Sequence, residues 1–114
     1  MNKTDRIIQS VLKKTKSQNV KKQAALWIEY LNNKLTFPVE TVVLGDDNTG
    51  EIKKGDPVIV QGPIYCHFDD GSVIVSGIHN NKESEFELCY LKVSNEKTQD
   101  YGIVEAYKKW YAEF

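Results

Sequence analysis

Apolar residues recur along this chain with two different periods, and the change falls near residue 37. Before it, Ile7, Ile8, Val11 and Leu12 share one face of a helix that Thr4 or Asp5 can cap. The polar stretch from Lys13 to Asn19 reads as a connection. A second helix carries Ala24, Ala25, Trp27, Ile28, Leu31 and Leu35 at the spacing of an amphipathic face. Asn32, Asn33 and then Pro38 end it, because proline biases its predecessor away from helix.

From Phe37 the pattern turns to strands. Phe37 to Leu44 is β-branched and extended, and the Asp-, Asn- and Gly-rich stretch 45–50 suits an exposed turn. Lys54 to Pro57 is a second turn leading into a strand from Val58 to Gln61. Ile64–Phe68 and Ser72–Ser76 flank Asp69-Asp70-Gly71, a strong hairpin signal. Glu83 to Val93 gives a further strand, or two short ones broken near Cys89-Tyr90. Helical spacing returns after Asn95 or Thr98, either of which can cap, with Ile103, Tyr107, Trp110 and Phe114 as one stripe widened by Val104 and Tyr111.

About five short, closely joined strands predict an α+β fold: a small, SH3-like, partly open β-barrel with N-terminal helices and a C-terminal helix. Residues 1–35 form the helical lead-in, 36–94 the barrel and 95–114 the closing helix of one domain, 1–114. A length of 114 residues agrees, since domains cluster at about 100–150. No apolar run approaches the roughly 20 residues of a membrane span. The lysine-rich start has no apolar signal core, so the expected setting is the cytoplasm.

Charge sharpens this picture. The total of −1 conceals a split: residues 1–23 carry a net of +6 and residues 24–114 a net of −7. Charges act over about 8 Å at physiological salt, so local balance selects partners. The acidic body suits cations or basic partners. The arm with Lys13, Lys14, Lys16, Lys21 and Lys22 suits acidic ones, including protein; contact with nucleic acid through it is expected to be weak and non-specific.

No motif for catalysis is present: there is no GxSxG, HExxH, P-loop or GxGxxG, and the expectation is a protein that is not an enzyme. Cys66, His67, His79 and Cys89 have zinc-ligand chemistry, but strand neighbours such as Cys66 and His67 point to opposite faces. They are expected to be two core thiols and two surface or loop histidines. The aromatic stripe Tyr107, Trp110, Tyr111, Phe114 could stack nucleic-acid bases; its spacing fits core packing better.

Two acidic clusters remain. Asp46, Asp47, Asn48 and Glu51 lie in one loop, and Asp69 and Asp70 lie in another. Calcium needs about six to eight oxygens, from carboxylates, carbonyls and water. Asp46, Asn48 and Gly50 match the start of a calcium loop, but the glycine falls one place early and no glutamate closes the loop, so this is not an EF-hand. On residue chemistry alone, turn and calcium loop both stand.

Several stretches carry a resemblance: Trp27-Ile-Glu-Tyr-Leu31, Leu35-Thr-Phe-Pro38, Gly55-Asp-Pro-Val-Ile-Val-Gln-Gly62, Leu88-Cys-Tyr-Leu-Lys-Val93, and a closing helix with Trp110-Tyr111. In order and separation they resemble the CcbP-like family of small bacterial calcium-binding proteins, over about residues 25–114. That resemblance implies the same fold and non-enzymatic binding of Ca2+, as buffer or sensor, through surface carboxylates. The expected ligands are Asp46, Asp47, Asn48, Glu51, Asp69 and Asp70. The alternative is a protein–protein interaction module of the same SH3-like fold, using the basic arm and acidic body to bind a partner or another copy of itself.

Overall fold

Two asparagines start the helical part of the chain. In the computed structural model, which describes residues 2–113, the Asn2 side chain accepts the Asp5 N–H at 2.8 Å and opens α1 (Lys3–Leu12). The cap therefore precedes Thr4 and Asp5, because a short amide satisfies a free N–H of the first turn. Asn19 does the same for Lys21 and Lys22 and opens α2 (Val20–Lys34). Thr98 caps α3 (Gln99–Ala112) by accepting the Tyr101 N–H.

Between α2 and α3 run β1 (Val39–Val43), β2 (Pro57–His67), β3 (Val73–His79), β4 (Lys82–Glu87) and β5 (Leu91–Val93). A single 3-10 turn, Leu88–Tyr90, separates β4 from β5. Neighbouring strands are antiparallel in the order β4-β3-β2-β1-β5. This open sheet with three helices is the α+β fold expected, and its order is compatible with an SH3-like barrel.

One expectation changes. The predicted strands 58–61 and 64–68 are a single β2, whose pairing with β3 shifts register between Gln61 and Cys66. Pro63 has no N–H for the ladder, and a Cβ on Gly62 would overlap the Phe37 ring. The chain bends there and continues. A two-residue turn also joins β3 to β4, with Asn80 and Asn81 at φ 50° and 64°, the conformation that favours asparagine in tight hairpins.

The core lies between the inner sheet face and the helices. Trp27, Tyr107, Leu31, Val58, Val60, Val73, Val75, Leu88 and Leu91 are fully buried. Trp27 meets Tyr107 edge-on at 5.7 Å and Trp110 at 5.9 Å between ring centroids. The Trp110 indole N–H donates to Gln23 Oε1 at 2.8 Å, and Gln23 Nε2 donates to the Ser17 carbonyl, tying α3 to α2 and its lead-in. Tyr107 and Trp110 are thus core residues and Tyr111 is half-buried; Phe114 lies outside the described residues. No helix among the described residues is long and apolar enough to cross a membrane.

The expected cysteine and histidine environments are partly reversed. Cys66 is exposed, because beyond the register shift it lies in one row with Ile74 and Glu87 on the outer sheet face. Cys89 is half-buried, and burial pushes its thiol pKa up. His79 is buried at the end of β3, with Nε2 2.9 Å from Asp56 Oδ2, while His67 is half-exposed.

Candidate functional site

The β1–β2 connection, residues 44–56, is built around one carboxylate. Asp47 Oδ1 accepts the N–H groups of Gly50, Thr49 and Ile52 at 2.9, 3.2 and 3.3 Å, and Oδ2 accepts the Thr49 hydroxyl at 2.7 Å. These bonds, the Thr49 hydroxyl foremost, hold the Asp47 carboxyl below its ordinary range. Asp46 Oδ1 accepts the Lys54 N–H at 2.6 Å, drawing the two arms of the loop together. At the base, Asp56 accepts the Lys53 N–H and faces His79, which together depress its pKa.

This loop lies against β4. Between them and the 3-10 turn is a cleft of about 560 Å³. Asp46, Asp47 and Asn48 stand on the loop side and Glu85 and Glu87 on the strand side, over a floor that includes Ile52 and Phe86. A neighbouring cleft of about 440 Å³ sets Glu51 near Glu83 and Lys82. Alternation along β4 puts Glu83, Glu85 and Glu87 on one face, in the rows of Ile78, Ser76 and Ile74. Loop and strand thus each contribute three acidic residues to the lining of these two clefts. Like charges so placed attract a cation and resist closer approach without one.

The strand glutamates are residues that the sequence reading did not select. Their signal was present: glutamate at every second position of Glu83-Ser-Glu-Phe-Glu87. Two of them already have neutral donors, Ser76 Oγ to Glu83 and Ser72 Oγ to Glu87 at 2.8 and 2.7 Å. Among the described residues, neither Glu51 nor Glu85 forms an ion pair.

Asp69 and Asp70 occupy the turn after β2, whereas residues 44–56 precede it; β2 runs between the two predicted clusters. Gly71, at φ 93°, closes the turn. Asp70 Oδ1 accepts the Ser72 N–H at 3.0 Å and Oδ2 accepts the Tyr111 hydroxyl at 2.8 Å. The Ser72 N–H, then Tyr111, lowers the Asp70 pKa, while the bond to Asp70 raises that of Tyr111 to about 12. Tyr107 donates to the Gly71 carbonyl and accepts the Val73 N–H at 2.7 Å. Asp69 projects into solvent 3.5 Å from Lys21 Nζ.

The donor sets are hard oxygens, the chemistry that suits calcium and magnesium and not zinc. Among the described residues no three His, Cys, Asp or Glu side chains converge tightly enough to hold a metal ion. The chemistry fits a cation; the arrangement is an open one.

A family model described as calcium binding, CcbP, matches residues 5–111. The chain is similar in fold to the crystal structure of Anabaena CcbP, with a TM-score of 0.72 at 12% identity, covering 98% of this chain and 94% of that one. It is similar also to a calcium-binding protein in its calcium-binding form, with a TM-score of 0.71 at 15% identity, covering 99% and 97%. Among curated proteins, none matches this sequence.

Proposed function

The chain belongs to the CcbP family of calcium-binding proteins, and from that premise we propose that it binds Ca2+ in the cleft between the β1–β2 loop and β4. The observation that carries the location is the shared lining: Asp46 and Asp47 of the loop border one cleft with Glu85 and Glu87 of β4, and Glu51 and Glu83 border the next. Asn48 adds a neutral oxygen, and loop carbonyls and water complete the six to eight donors that calcium takes. Asp69 and Asp70 form a second, weaker locus, since this turn offers two carboxylates and Lys21 Nζ lies 3.5 Å from Asp69.

An open, flexible shell belongs at the weak end of calcium affinity, about 10⁻⁴–10⁻³ M. Magnesium competes poorly, because such a loop does not impose its small octahedron. The role is that of a buffer or sensor: the cleft collects carboxylates for a cation, and binding involves no chemical transformation. The exposed free thiol of Cys66 accords with a reducing compartment such as the cytoplasm.

Calorimetric titration with calcium, with magnesium as control, tests the reading. Asp46→Asn with Asp47→Asn, and separately Glu85→Gln with Glu87→Gln, should each weaken calcium binding by about tenfold or more, since ligand charge count sets affinity. Asp69→Asn with Asp70→Asn should leave most of it. No uptake at millimolar calcium would refute the function; full uptake by both cleft variants would refute the location.

A further inference from the structure

We propose that this cleft is also the docking surface for the lysine-rich arm of a second copy of the chain, and that calcium and the arm exclude one another there. The mutual exclusion rests on the calcium reading; the docking itself does not.

The cleft has features that a bare cation leaves unexplained. At its mouth Tyr90 is 60% exposed, and next to it Leu44 is 41% exposed; the Leu44 N–H donates to the Tyr90 carbonyl at 2.9 Å, so the two are neighbours. A hydrated ion gains nothing from an exposed leucine. A lysine gains from both, with its ammonium over an aromatic face or against a carboxylate and its aliphatic stem along apolar surface. The acidic walls and the apolar floor together match a long cationic side chain.

The same molecule carries such side chains without partners. Lys14 pairs with Glu29 and Lys21 with Asp69, but Arg6, Lys13, Lys16 and Lys22 are exposed and form no ion pair among the described residues. Helix α1 packs against α2 and α3, and Lys109 anchors it through Asp5 at 2.7 Å. The arm is held on the helical layer while its cations face outward. A polyanion such as nucleic acid would meet the −7 body beside the +6 arm, whereas the acidic cleft of another copy is complementary to that arm. Joining an arm to a cleft is a heterologous, head-to-tail contact, which leaves one free surface of each kind at the ends.

Sedimentation equilibrium of the full chain tests this. In chelator at low ionic strength, the weight-average mass should rise above the monomer as concentration increases. It should return to the monomer when calcium is added, and less so with sodium chloride of equal ionic strength. Lys13→Glu with Lys16→Glu disables the arm, and Glu85→Lys with Tyr90→Ser disables the cleft; circular dichroism checks that each folds. Each variant alone should be monomeric, and an equimolar mixture should form a heterodimer, because one supplies the cleft and the other the arm. A monomeric parent chain in chelator, an arm variant that still associates, or a mixture that stays monomeric would each overturn the proposal. Calcium uptake by a parent chain that stays monomeric in chelator removes the docking alone. Association without calcium uptake removes the calcium reading alone.

Discussion

Tyr107→Phe separates hydrogen bonding from packing, because the ring stays and only the hydroxyl leaves. That hydroxyl accepts the Val73 N–H at 2.7 Å and donates to the Gly71 carbonyl at 3.2 Å, and both Tyr107 and Val73 are fully buried. Burial also raises the Tyr107 pKa well above the ordinary phenol value, so the group stays protonated throughout the accessible pH range. Without it the Val73 N–H is orphaned away from water, at a cost of about 1–3 kcal/mol. The longer bond to Gly71 contributes about 0.5–1.5 kcal/mol more. The expected loss is therefore about 2–4 kcal/mol, a large part of the roughly 5–15 kcal/mol that holds a domain folded. In urea, with a slope of about 2 kcal/mol per molar, the middle of the usual range, the unfolding midpoint should fall by about 1–2 M. Tyr111→Phe is the control: its partner Asp70 is in contact with water, and the loss should stay near 0.5 kcal/mol, as for surface substitutions. A loss below about 0.5 kcal/mol for Tyr107→Phe, or equal losses for the two, would refute the assignment of this hydroxyl as a buried strut.

Acid should destabilise the fold through three carboxylates. Asp47, Asp56 and Asp70 have lowered pKa values when folded, so their stabilisation is complete above the unfolded value near 4 and disappears as pH falls through the folded values. Thermal melting should thus vary little through these groups above about pH 5 and fall steeply below about pH 4; a melting temperature that rises on acidification would contradict the sign. Trp27→Ala should cost about 3–5 kcal/mol, because the ring is completely enclosed. In the parent protein, acrylamide should quench both tryptophans far less than free indole, and equal quenching would exclude this core.

The helices were legible because their apolar faces keep a 3.6-residue period, and the aromatic stripe was rightly read as packing for Tyr107 and Trp110. The continuity of β2 was not legible. Pro63 removes a ladder donor and reads locally as an end, whereas a ring from a distant residue, Phe37, fills the space at Gly62 and lets the strand proceed. That irregularity also explains the cysteine error. Ile64 is buried while Cys66, two residues on and past the register shift, is exposed, so membership of an apolar-rich run did not imply a buried thiol. His79 went astray for a different reason: its partner Asp56 is remote in sequence. At the candidate site the loop acids were visible as composition, and the glutamates of β4 as alternation. That the loop lies over that strand is a tertiary fact, and no local pattern encodes it.

The pairing of α1 with α3 has a consequence for the order in which a newly made chain acquires structure. Asp5 and Lys109 are 104 residues apart in sequence, and Trp27 completes its surroundings only with Tyr107 and Trp110. By contrast, β2, β3 and β4 are joined by short turns and can zip together as soon as they leave the ribosome. At a synthesis rate of about 5–20 residues per second, α1 waits about 5–20 s for its partner. During that interval the basic arm is an unanchored segment trailing from a half-finished, increasingly acidic body. A released fragment ending shortly after Val93 should accordingly have its hairpins protected from proteolysis while Trp27 remains open to quencher.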